Sequence, residues 1–199
     1  DMNQVLGTTA GNALETADAI AFLKDAAARE PRTLAVTLAL GAELLMLGGL
    51  AADAATATAA LQRALDSGTA AERFARMVAT LGGPADVLRD ARLPRAPLQH
   101  AVPAPRGGVL QACDVRALGL AVVALGGGRQ APGEAIDPRV GLAGLRPLGS
   151  TVTAGEELAV VHAADADSAA AAVAAVQAAF TIGDAAVAGA PLIVERVVA

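Results

Sequence analysis

The sequence predicts an α+β fold, with a helical first half to about residue 93 and a mixed helix–strand second half. Three observations carry this. Apolar residues recur at helical spacing in four segments between residues 13 and 81. Pro94, Pro97, Pro103 and Pro105 then fall within twelve residues, with Gly107-Gly108 after them, a cluster that marks a boundary or crossing segment. Beyond it, short strand-like runs alternate with Ala-rich helical segments.

Residues 13–24, ALETADAIAFLK, set Leu14, Ala17 and Ala21 on one helical face with Ile20 and Leu23 beside it. Residues 33–47 are apolar nearly all round, the pattern of a buried helix. In 53–66, Ala57, Leu61, Ala64 and Leu65 form one stripe. Ser67-Gly68-Thr69 ends that helix and caps the next, roughly 70–81, which carries Phe74, Met77, Val78 and Leu81 at helical spacing. Gly82-Gly83-Pro84 closes it. In the second half, Leu98–Val102, Val109–Cys113 and Leu158–Ala163 read as strands. A short helix over Ala117–Leu125 ends at Gly126-Gly127-Gly128, an Ala/Val helix covers about 167–180, and Leu192–Val198 reads as a last strand.

Composition narrows the function classes. The 199 residues are 54% apolar, well clear of the disordered range, and enough to bury a core. A net charge of −5, with one lysine, Lys24, among scattered arginines, argues against a nucleic-acid surface. Three Phe and no Trp or Tyr leave few rings on which single-stranded bases could stack. Cys113 is alone, so there is neither a disulfide framework nor a cysteine zinc site, and a cytoplasmic setting is expected. Asp1 stands where a leader would carry its basic region. Thr33–Ala52 is about long enough to span a membrane, but Glu43 sits at its middle, at a cost of roughly 2–3 kcal/mol on insertion scales. It reads as a core helix, and no membrane partner is expected.

Few residues suggest chemistry. His100 and His162 are the only histidines, and neither has a second ligand at metal-binding spacing. GGGR at 126–129 follows a helix, where glycine supplies the C-cap, rather than preceding one, where a phosphate cradle would need it; Arg129 remains for an ion pair or a substrate edge. LGSTVTAGEELAVVHA, 148–163, fits G-x-x-V-x-x-G-x-x-L-x-x-V, a strand, a tight glycine turn and a second strand, as in biotinyl or lipoyl-type hammerhead domains. Those carriers use a lysine in the hairpin, and Lys24 lies far from it.

Six segments, in order, resemble the thymidine and pyrimidine-nucleoside phosphorylase family. They are DMNQVLGTTAGNALE (1–15), TLALGAELL (37–45), ALDSGTAAERFARMVATLGGP (64–84), ALGLAVVALGGGR (117–129), AIDPRVGL (135–142) and the 148–163 stretch. The resemblance implies that residues 1–93 are the closing helices of the family's catalytic α/β domain and that 96–199 are its α/β-hammerhead domain. It implies the C-terminal half of an enzyme that reversibly phosphorolyses thymidine or deoxyuridine, using phosphate and yielding the base and 2-deoxyribose 1-phosphate. Such a step passes through an oxocarbenium-like state. The complete enzyme is expected to be a homodimer without an organic cofactor. The family's catalytic and substrate-binding residues fall ahead of this stretch, so none is assigned here and the stretch alone is expected to be inactive.

The same resemblance implies a monovalent-cation site, for potassium, to which this stretch gives the Leu6 and Thr9 carbonyls and the Asp18 carboxylate. Oxygen ligands suit a hard cation. The family usually has Glu where Asp18 stands, one methylene longer, and Asp18 fits a solvated helix position equally well. A competing reading is a non-enzymatic hammerhead interaction or scaffold module. Anthranilate phosphoribosyltransferase, a related fold, lacks the hammerhead that residues 96–199 suggest.

Overall fold

The structure is a computed structural model that describes residues 1–197. Its helices are α1 (Asn12–Lys24), α2 (Pro31–Leu47), α3 (Ala54–Asp66) and α4 (Thr69–Thr80). Then come β1 (Leu98–Pro103), β2 (Gly108–Cys113), α5 (Val115–Val122), β3 (Gly141–Ala143), β4 (Thr151–Val152) and β5 (Glu157–Ala163). The last are α6 (Ala166–Ala179) and β6 (Phe180–Gly183). The mixed α+β class expected from the sequence is what the chain adopts. Compact packing groups residues 1–16 with 93–194 in one unit, and 17–92 with the segment from Glu195 in another. Residues 1–16, including the first turn of α1, therefore belong to the strand-bearing unit.

The first unit holds two antiparallel three-stranded sheets, ordered β1-β5-β3 and β4-β2-β6. β5 is central: His162 lies opposite Gln99 on one side and Gly141 on the other. Its Leu158, Ala159, Val161 and Ala163 are fully buried, so it reads as a near-continuous apolar run. Helix α6 turns Ala169, Ala172, Val176 and Ala179 into the same core at helical spacing, and α5 adds Leu118 and Ala121. The glycine turn at 153–156 leads from β4 to β5, and these two strands belong to different sheets. It is a corner between sheets, stitched by Ala104 N–H to Glu156 O at 2.7 Å and Gly155 N–H to Ala104 O at 2.8 Å.

The second unit is helical, and its interior is thin. Ile20, Ala42, Ala57, Leu65, Ala71 and Val87 are its buried apolar residues. Helix α3 approaches α2 at Gly41, where an added Cβ would stand 2.8 Å from Leu61 Cδ1. The Arg29 guanidinium, its side chain 5% exposed, donates to Phe22 O at 3.2 Å and Leu65 O at 2.9 Å, and pairs with Asp66. A buried cation thus satisfies carbonyls at the ends of α1 and α3, where the helix dipole favours it. Ser67 is the C-cap of α3 and Gly68, at φ +80°, the N-cap of α4; the Ser67 hydroxyl accepts from Thr69 N–H at 3.4 Å, as Ser67-Gly68-Thr69 led one to expect.

Two expectations are corrected. Helix α2 is not buried all round: only Ala42 is buried, and Leu40, Leu44 and Leu47 are exposed. The sequence is apolar on every side, but within this unit α3 covers one side of it. Residues 192–197 form no strand, and Val198 lies outside the described residues. Ile193, Val194 and Val197 have strand propensity, yet no strand pairs with them, and propensity yields to context. No helix among the described residues is long and apolar enough to cross a membrane.

Candidate functional site

Backbone and side-chain contacts converge at the entry to α1. Ala10 pairs with Leu142 in both directions, N–H to O at 2.9 and 2.8 Å, adding one bridge to β3. At this crossing the backbones touch. A Cβ on Gly141 would lie 2.3 Å from Ala10 O, and one on Gly11 would lie 2.7 Å from Val140 O. Both residues have left-handed φ, +152° and +143°. Side chains are excluded twice over, by space and by conformation.

Three quoted motifs meet here. Ala13 N–H donates to Pro138 O at 3.0 Å, Asn12 Nδ2 to Gly127 O at 3.0 Å, and Asp137 N–H to Gly126 O at 2.8 Å. The Glu15 carboxylate accepts from Gly11 N–H at 2.9 Å. The Gly11 and Ala13 donors at the start of α1 are thus taken up internally. Asp137 holds Arg139 through both carboxylate oxygens, at 2.8 and 2.7 Å. That guanidinium lowers the Asp137 carboxyl below its ordinary value, more than partial burial raises it. The glycine run 126–128 acts as the expected cap: Gly126 turns out of the helix at φ +96°. Arg129 donates to Glu134 O at 2.9 Å within its own loop.

Leu6 and Thr9, the candidate carbonyl ligands, lie in the loop before this crossing, Leu6 at the start of a bend over 6–8 and Thr9 just after it. The loop is tied down by Leu145 N–H to Thr8 O at 2.9 Å and Leu148 N–H to Gln4 Oε1 at 3.2 Å. Asp18, the candidate carboxylate, is an exposed residue of α1. Two carbonyls and one carboxylate are the donor types a potassium ion takes. Among the described residues, no three or more His, Cys, Asp or Glu side chains gather as a metal cluster.

The histidines do not form a catalytic pair. His162 faces the side of the sheet shared with Gln99, while His100 faces Val161 across the strand pair and is exposed. Burial holds the His162 imidazole below its ordinary value. Cys113 is half-buried, and desolvation, with Asp114 beside it, pushes its thiol up to about 11, so it is protonated and unreactive at neutral pH. Sequence reading passed over Asn12 and Gly141 as individual residues. The signal lay in AIDPRVGL, whose glycine precedes a short apolar run.

Residues 109–183 match the family described as the pyrimidine nucleoside phosphorylase C-terminal domain. Over 187 residues, 92% of the chain, it is 57% identical to a protein of Burkholderia cenocepacia (strain HI2424) named thymidine phosphorylase. It is 55% identical over 188 residues to one of the same name from Burkholderia lata. A Sinorhizobium medicae protein, also so named, is 48% identical across 100% of the chain. The chain spans 42–45% of the length of these relatives.

Proposed function

We propose that this chain, which belongs to the pyrimidine-nucleoside phosphorylase family, is the C-terminal portion of a thymidine phosphorylase. The carrying observation is identity of 48–57% over 92–100% of the chain to proteins of that name, against 42–45% of their length. The complete enzyme would then act on thymidine or deoxyuridine, with phosphate as co-substrate. A phosphate oxygen bonds to the anomeric carbon as the bond to the pyrimidine nitrogen breaks, and that bond's electron pair leaves with the base. Such a pentosyl transfer requires donors held on phosphate and on the departing pyrimidine.

The residues in hand support a framing role. Residues 1–93 would close the catalytic domain and 96–199 would form the family's hammerhead, with residues 1–16 packed on the latter. The crossing of Gly11 and Gly141 holds the loop that carries Leu6 and Thr9. It is the family resemblance that joins these two carbonyls with the Asp18 carboxylate as oxygen ligands to potassium, other ligands coming from outside this chain. No organic cofactor enters. The complete enzyme would be a cytoplasmic homodimer.

The test is thymine release from thymidine and inorganic phosphate by the 199-residue chain. We expect none above a heat-denatured control. Phosphate-dependent turnover by these residues alone would overturn the reading that the reacting groups lie outside them.

A further inference from the structure

The loop ahead of α1 runs antiparallel to residues 142–148. Three steps tie the two together: Gln4 to Leu148, Thr8 to Leu145 and Ala10 to Leu142. The 142–148 side is fixed in the core. Leu142 and Leu145 are fully buried, and Leu148 packs against the same cluster. Arg146 N–H donates to Leu158 O at 3.0 Å and Gly149 N–H to Leu110 O at 2.9 Å, so both sheets brace this segment. The ties at Thr8 and Ala10 use the carbonyls of those residues, and neither is a candidate ligand. The tie at Gln4 is of another kind. Its side-chain carbonyl accepts from Leu148 N–H at 3.2 Å, across 144 residues of sequence. Thr9 lies between two backbone ties, whereas Leu6 lies between the tie at Thr8 and the one that Gln4 makes.

We propose that Gln4 is a positioning residue for potassium: by pinning the chain ahead of the bend to Leu148, its amide sets where the Leu6 carbonyl stands. The inference rests on the reading of Leu6 and Thr9 as cation ligands of a longer phosphorylase. A group one step behind a ligand fixes that ligand's orientation, and its loss weakens metal binding without removing a ligand. A pinned loop also fixes the spacing of its carbonyls, and ligand rigidity is one basis for choosing between ions of different size.

The experiment uses a fusion in which the unmatched portion of the Burkholderia cenocepacia relative precedes Asp1. Its melting temperature is followed against potassium chloride and, separately, sodium chloride, with tetramethylammonium chloride holding the ionic strength constant. An ion that binds the folded chain raises melting over a concentration range set by its affinity. Gln4→Leu keeps the size of the side chain and removes the acceptor. It should move the potassium midpoint up by about tenfold or more and narrow the preference for potassium over sodium. Gln4→Asn, one methylene short of Leu148 N–H, should do the same. Gln4→Glu keeps an acceptor at full reach and should not.

A Gln4→Leu fusion whose melting falls equally at every potassium concentration, with an unchanged midpoint, overturns the inference, since the amide is then only structural. Should Gln4→Leu not fold, the Gln4→Asn midpoint decides: raised, it supports the inference, and unchanged, it overturns it. An unsubstituted fusion that releases thymine but melts alike with and without potassium overturns the inference and leaves the activity standing. One whose potassium midpoint depends on Gln4 but which releases no thymine supports the inference and overturns the activity.

Discussion

Gly141 shows how much one position can demand. Any side chain there meets Ala10 O at 2.3 Å and must hold φ at +152°. Gly141→Ala should therefore cost at least about 2 kcal/mol, combining backbone strain with a forced separation of two strands, read as a lower urea midpoint. His162 makes a different prediction. Its folded-state value lies below the ordinary 6.5 because of burial, so the unfolded chain takes up the proton first as pH falls. Stability is complete above about pH 6.5 and declines below it. His162→Gln should flatten urea midpoints between pH 7.5 and 5.5. The side-chain bonds from Arg139 act on Asp137 in a separate window, below its ordinary 3.8. At this scale the sequence was partly legible. The C-cap at Gly126 followed from its place after a helix. The need for glycine at 141 did not, because its clash partner lies far away in sequence.

Elements were mostly visible in the sequence because their signals are local. Asp114 is a local signal that the expected start at Ala117 missed: its carboxylate accepts from Ala117 N–H at 2.9 Å and opens α5 at Val115. Asp114→Ala should lower stability by about 1 kcal/mol, seen in thermal unfolding. Arg29→Ala should cost more, roughly 1–3 kcal/mol, by leaving the Phe22 and Leu65 carbonyls without their donor. Arg29→Lys should not restore the loss, since one ammonium cannot span both carbonyls and Asp66. Two short strands escaped the sequence reading, whereas β4 was expected as the strand before the glycine turn. At three and four residues, β3 and β6 are too brief for alternation to register. The segment 192–197 failed the other way, having strand-forming residues but no strand to pair with. The burial expected of α2 was wrong because periodicity shows which faces are apolar, not whether this chain supplies their cover.

Across the whole molecule, two units with unlike interiors predict unlike protection. β5 is paired on both sides and fully buried at four positions, whereas the helical unit buries only six apolar residues, three of them alanine, among those described. Amides of β5 should exchange slowest in the 199-residue chain, and those of α2 and α4 far sooner; equal protection would contradict this. The family was legible from six ordered motifs, and the matches of 48–57% identity bear it out. Which reacting groups complete it was not, because on the proposed reading they lie outside these residues. The central claim is that the chain frames a phosphorylase without containing its chemistry. The most direct test is thymine release by the 199-residue chain beside the fusion to the unmatched portion of the Burkholderia cenocepacia relative. The account predicts turnover by the fusion and none by the chain alone. Phosphate-dependent thymine release by the 199 residues themselves would contradict it.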